Sequence, residues 1–177
     1  MKYLKLLSIL VCVSLIGFFG TNILLNKEAR VVKTHSINMF DLKNSELLVG
    51  WADNVFVGTV NLKSKETKDE ISPLSIYEVK VEENIKGNLE KIVNVSHRVA
   101  YDPDRKVLYK FDGAEYLKEG KKYLFVSRYD SKTDTHHIVP VEGDILLDTP
   151  EKEKELKEKF IKAEGNQKDY KDYLPKS

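Results

Sequence analysis

The chain has 177 residues, 41% of them hydrophobic and 32% charged, which is enough for one globular domain plus whatever the ends add. Removing residues 1–25 takes away two lysines and no acid, leaving 27 basic against 28 acidic residues, a formal balance of −1. Only Arg30, Arg98, Arg105 and Arg128 are arginines, and the lysines are dispersed among acids, which argues against a nucleic-acid footprint.

Leu6 to Leu25 is uncharged, and at about 1.5 Å per residue it can cross a hydrocarbon core of roughly 30 Å. With Lys2 and Lys5 ahead of it, the segment is expected to be a single N-terminal transmembrane helix, residues 1–25 forming the anchor, with a cleaved export signal as the alternative. Small residues are missing where a peptidase would need them: a cut after Gly20 puts Phe18 third from last, and a cut after Gly17 puts Leu15 there. Cys12 lies mid-span behind Val11, so a lipoprotein site is not formed either. The short amino-terminal tail favours an amino end inside. The expected location is therefore a single-pass membrane protein with its C-terminal domain outside the cytoplasm, or a secreted domain if the signal is cut. After Cys12 the chain has no cysteine, as suits an exported domain that does without disulfides.

Residues 26–44 read as a polar spacer and the start of a helix, with Met39, Leu42, Leu47 and Leu48 near helical spacing from Ser36 to Gly50. Asn54 to Leu62 alternates in a way that predicts a strand buried on both faces. Lys63 to Ser72 is a polar loop. "YEVKVEENIKG", Tyr77 to Gly87, is a second strand with one wet and one dry face, and its break at Lys86-Gly87 predicts a corner. A third strand starts at Lys91 and continues toward Val99. Tyr101 to Glu115 reads as a long polar and aromatic connection, followed by strands Lys121–Tyr129 and His136–Val141 around the turn "DSKTD". In residues 148–177, Thr149 and Pro150 open a charged helix running to Gly165, with Leu156, Phe160 and Ile161 as its apolar seam. Its Glu153–Lys157, Glu155–Lys159 and Glu158–Lys162 spacings allow four-residue ion pairs.

Five or so short strands with flanking helices predict a mainly β fold, a small antiparallel OB-like barrel over residues 45–147, because a sheet this small must hide its edges and its dry face. Ala52-Asp53 before the first strand, "VFVGTV", "YEVKVEENIKG" and "LKEGKKYLFV" from Leu117 to Val126 resemble the netrin-like domains, the OB-type barrels of tissue inhibitors of metalloproteinases and their bacterial exported relatives. The resemblance covers roughly Ser45 to Leu147 and implies the barrel. It does not carry the inhibitory mechanism: those inhibitors chelate the protease zinc through a free N-terminal cysteine, and this chain has no cysteine outside residues 6–25.

Candidate chemistry is sparse. His136 and His137 are adjacent on a strand and point to opposite faces, so they do not share a metal, and Ser96 diverges from His97 for the same reason. Asp102 and Asp104 lack the remaining spacing of a calcium loop. No zinc-protease, phosphate-loop or nucleophile-elbow motif occurs, so no cofactor and no metal are expected. Two functions remain: a membrane-tethered module binding a protein or envelope partner through Tyr101, Tyr109, Phe111 and Tyr116 on rim loops, or an enzyme whose site forms only in three dimensions near His97.

Overall fold

The computed structural model describes residues 30–34, 40–67 and 73–174. The expected transmembrane segment, Leu6 to Leu25, lies outside them, and among the described residues no helix is long and apolar enough to cross a membrane. Contacts divide the chain after Arg30, and the unit that begins at Val31 holds the fold.

Five strands close into a barrel: β2 (Asn54–Glu66), β3 (Ser75–Lys86), β4 (Ile92–His97), β7 (Lys122–Asp130) and β8 (Thr135–Ile138). The pairings β2–β3, β3–β4, β7–β8 and β2–β7 are antiparallel, and β4–β8 is parallel. Strand β9 (Asp144–Leu146) continues along the edge of β7 below β8. The alternation of the sequence decides which residues point inward. Phe56, Val60, Tyr77, Val79, Val95, Tyr123, Phe125 and Ile138 fill the interior, with the rings of Phe56 and Phe125 stacked at 5.1 Å. Residues between them on β2 and β7, namely Val55, Val57, Leu124 and Val126, face out and are covered by the helices. The expectation that Asn54 onward is buried on both faces is met for this reason.

A thirteen-residue strand can only wrap a small barrel if it coils, and β2 does so through register shifts against β3 at Val57/Gly58 and three other places. Gly58 lies at the closest approach: a Cβ there would sit 2.6 Å from Val79 Cγ1 and 2.9 Å from the Lys80 carbonyl oxygen.

Helix α1 (Ser45–Trp51) is shorter than the pattern from Ser36 suggested, because the Asn44 side chain accepts from the amides of Glu46 at 3.0 Å and Leu47 at 3.3 Å and starts the helix there. Leu42 packs on the same core from outside the helix, and Met39 lies outside the described residues. Further differences concern strands. Strand β2 runs on through Lys63–Glu66, expected as the start of a loop, because these residues pair with Ser75–Tyr77 of β3. The span Tyr101–Glu115, expected as a connection, is partly a hairpin: β5 (Val99–Asp102) pairs with β6 (Val107–Phe111), and β1 (Arg30–Thr34) adds to the far edge of β6. The "DPDRK" stretch is its turn, tied by Asp102 Oδ1 accepting from the Asp104 and Arg105 amides. Strand β8 stops at Ile138 because Pro140 and Val141, the latter at φ 71°, turn the chain away before Gly143 returns it to β7.

Helix α2 (Pro150–Gly165) begins at Thr149, whose hydroxyl accepts from the Lys152 amide at 3.2 Å, as the sequence predicted. Its seam differs: Phe160 and Ala163 are buried beside Leu156, whereas Ile161 is 52% exposed. Positions 156, 160 and 163 lie on one side of a helix and 161 lies off it. Two of its charges reach across to the barrel: Glu153 lies 3.3 Å from Lys122, which also pairs with Glu82 at 2.9 Å, and Lys157 pairs with Glu83. Phe160→Ala should therefore cost about 3–5 kcal/mol, and Ile161→Ala should stay within about 0.5 kcal/mol. Chemical denaturation of both variants checks the assignment, and equal losses would contradict it.

Candidate functional site

The parallel pairing of β4 with β8 is limited to Val95↔His136 and Ser96↔His137. Residues Ile92–Asn94 extend past the last of these pairs, and the gap between them and the β7–β8 turn opens a cleft of about 550 Å³ at the barrel end. The Gly87 corner forms its other wall. Gly87 has φ 83°, and a Cβ there would lie 2.3 Å from the side-chain amide nitrogen of Asn54. The glycine thus serves the turn and also leaves room for the Asn54 side chain, so the corner expected from the sequence is at the same time part of a site.

Asn54 Oδ1 is 3.1 Å from His136 Nδ1. With the amide oxygen as acceptor the imidazole proton sits on Nδ1, leaving Nε2 as an acceptor. Burial pulls His136 below its ordinary value, against the opposing pull of Asp134 and Asp53, which keeps the ring neutral near pH 7. The Tyr129 ring packs against it at 5.0 Å and remains 47% exposed. Tyr129 is fixed from two sides: its hydroxyl donates to Asp134 Oδ1 at 2.9 Å and its amide to Asp53 Oδ2 at 3.0 Å. Asp53 also faces Arg128, whose guanidinium lies over the Trp51 ring. Asn88 and Asn94, both exposed, bring two side-chain amides to the lining. Three carboxylates and no lysine or arginine line this cleft, so it repels anions.

The expected contact residues are placed elsewhere. Tyr101, Tyr109, Phe111 and Tyr116 are all half-buried. Glu66 Oε1 gathers two of them, accepting from the Tyr101 amide at 3.2 Å and the Tyr116 hydroxyl at 3.1 Å as well as from Ser75 and Lys63. Burial opposes the Glu66 charge, but the Lys63 ammonium and these donors together hold its carboxyl below the usual glutamate value. Burial and the Glu66 charge push the Tyr116 phenol up.

Two polar constellations were hidden from the sequence. Ser96 pairs across the parallel strands with His137, not with its neighbour His97: its hydroxyl meets His137 Nδ1, and His137 Nε2 lies 3.3 Å from Asp130 Oδ2. The order of residue types is nucleophile, base and carboxylate, yet Ser96 is 2% exposed and lines no part of the cleft. His97, also 2% exposed, lies with Nε2 3.5 Å from Asp144 Oδ2, and its Nδ1 meets no hydrogen-bond partner among the described residues. Among the described residues no group of three His, Cys, Asp or Glu is placed to hold a metal, and Asp134 beside His136 is a pair only.

Because the folded chain binds a proton at His136 less readily than the unfolded chain, the stability that the neutral ring contributes is full above the ordinary value of 6.5 and is lost as pH falls below it toward the folded value. Thermal melts between about pH 8 and pH 5 should show Tm falling on acidification, and His136→Gln should flatten that slope. A variant with the wild-type slope would remove His136 as its source.

Compared with known proteins, the chain matches no family model and no curated sequence, so the chemistry of the cleft itself is what points to a function.

Proposed function

We propose that the chain is an exported binding module of the cell envelope, tethered to the membrane by Leu6 to Leu25, which engages its partner at the barrel-end cleft and carries out no reaction of its own. One observation carries this reading: the cleft around Tyr129 is open to a ligand, whereas the residues with catalytic potential, Ser96 and His97, are buried away from it. An aromatic residue whose hydroxyl is held by Asp134 and whose backbone amide is held by Asp53 is a low-entropy contact surface. The order β2-β3-β4-β8-β7, three meandering strands closed by a later hairpin through one parallel contact, supports an OB-type barrel and with it the netrin-like resemblance. The absence of cysteine after Cys12 supports export and argues against zinc-directed protease inhibition.

We take Tyr129, 47% exposed, as the contact residue in place of the half-buried Tyr101, Tyr109, Phe111 and Tyr116. After crosslinking of the full-length chain in cells, Tyr129→Ser should reduce recovery of the partner at unchanged Tm, while Tyr109→Ser and Phe111→Ser act only as far as they destabilise the hairpin. Full recovery with a folded Tyr129→Ser protein would take the cleft out of the reading. The tether is tested separately: the mature chain should keep Met1 or Lys2 at its amino end and sediment with membranes, and a protein beginning near Thr21 in the medium would replace anchoring with secretion.

A second reading, an enzyme, rests on the Ser96–His137–Asp130 chain. A fluorophosphonate probe that labels the wild type and fails to label Ser96→Ala would establish it, and an unlabelled wild type would dismiss it.

A further inference from the structure

We propose that the cleft at the barrel end takes a neutral oligosaccharide, one sugar ring lying against Tyr129. This rests on the cleft being the binding site. The ligand class follows from which of its groups are already engaged. Asp53 Oδ2 accepts from the Tyr129 amide and faces Arg128, and Asp134 Oδ1 accepts from the Tyr129 hydroxyl, so one oxygen of each of these carboxylates is engaged within the chain. What the cleft offers a ligand is the amides of Asn88 and Asn94, the exposed carboxylate of Glu90, and the apolar surface of Ile92 and Tyr129, exposed by 52% and 47%.

An amide side chain donates through its nitrogen and accepts through its oxygen, and it is fully used only by a partner that does both. Hydroxyl groups do both. An ammonium group is drawn by the negative field of Asp53, Glu90 and Asp134 but donates only and makes no use of the two amide nitrogens, while a phosphate or carboxylate accepts only and would meet that field with no lining cation to offset it. The neutral His136 ring supplies one further acceptor at Nε2. The apolar face of a pyranose ring, with hydroxyls at its edge, matches an exposed aromatic ring surrounded by amides. The phenol of Tyr129 is held by Asp134, so stacking a sugar on it costs little further ordering. At about 550 Å³ the cleft has room for a ligand of two or so sugar rings.

The test is calorimetric titration of the full-length chain in a polyoxyethylene detergent, which carries neither sugar nor charge, with cellohexaose, maltohexaose and chitohexaose as neutral probes and hexalysine as the cationic one. At least one oligosaccharide should bind, with an affinity unchanged between about 50 and 500 mM salt. Tyr129→Ala and Asn94→Ala should each weaken that binding by roughly tenfold at unchanged Tm. Hexalysine binding that falls with salt, with no response to the sugars, would overturn the oligosaccharide assignment and leave the cleft as a site for a cationic chain. Failure of all four probes would overturn the assignment as well. Oligosaccharide binding unaffected by both variants would place the sugar elsewhere and sink it too. The cleft reading itself falls only if Tyr129→Ser leaves partner recovery in cells intact.

Discussion

The pairing of β2 with β7 is the contact on which the molecule depends. It runs from Asn54↔Ser127 to Thr59↔Lys122, and it closes the barrel. Both strands are buried on both faces here. Phe56 and Phe125 meet inside the barrel, while Val55, Val57, Leu124 and Val126 form the floor on which α1 and α2 sit. One ladder therefore joins two cores, and either core loses its support if that ladder opens. The strong apolar content of these two strands is the physical signature of that double duty.

The cleft follows from the way the rest of the barrel closes. Sequential hairpins bring β3 and β4 in from one side and β8 from the other, and the last contact has to be parallel. It is made by two residue pairs, which leaves Ile92–Asn94 of β4 paired with β3 but not with β8. Around the opening buried residues, Asn54 and His136, support an exposed one, Tyr129. Gly87 turns the chain and makes room for Asn54, Asn54 holds His136, and His136 packs on Tyr129. The cleft is thus a consequence of barrel closure, with Tyr129 at its rim held by buried neighbours.

Charge has a comparable division of labour. Ion pairs at Lys122 and Lys157 orient α2 on the barrel, yet they are partly exposed, and burial of Phe160 is the larger attachment. At the opposite side Glu66 works differently. It is a hub in which one carboxylate oxygen gathers donors from β2, β3, β5 and the segment before β7, joining the β5–β6 hairpin to the barrel. Segments far apart in the sequence are consequently fastened at a single acidic residue.

Local pattern by itself determined β3 and β7, β2 as far as Leu62, the corner at Gly87 and the limits of α2, because each of these is written in a period, a cap or a positive-φ glycine that acts within a few residues. It also determined that a sheet of this size must close. The tertiary structure alone decided where α1 begins, since the apolar spacing upstream of Asn44 resembled helix and only the cap and the packing excluded it. It decided that Tyr101 to Phe111 is largely a hairpin, whose strands are too short to stand out and acquire their order by pairing with each other and with β1. It decided that Ser96 meets His137 and that His97 meets Asp144, pairs separated by 41 and 47 residues, and it left Tyr109 and Phe111 half-buried and Tyr129 exposed. Secondary structure is set by neighbours along the chain, whereas exposure and polar partnership are set by which strand edges meet, and in a closed barrel those edges come from distant parts of the sequence.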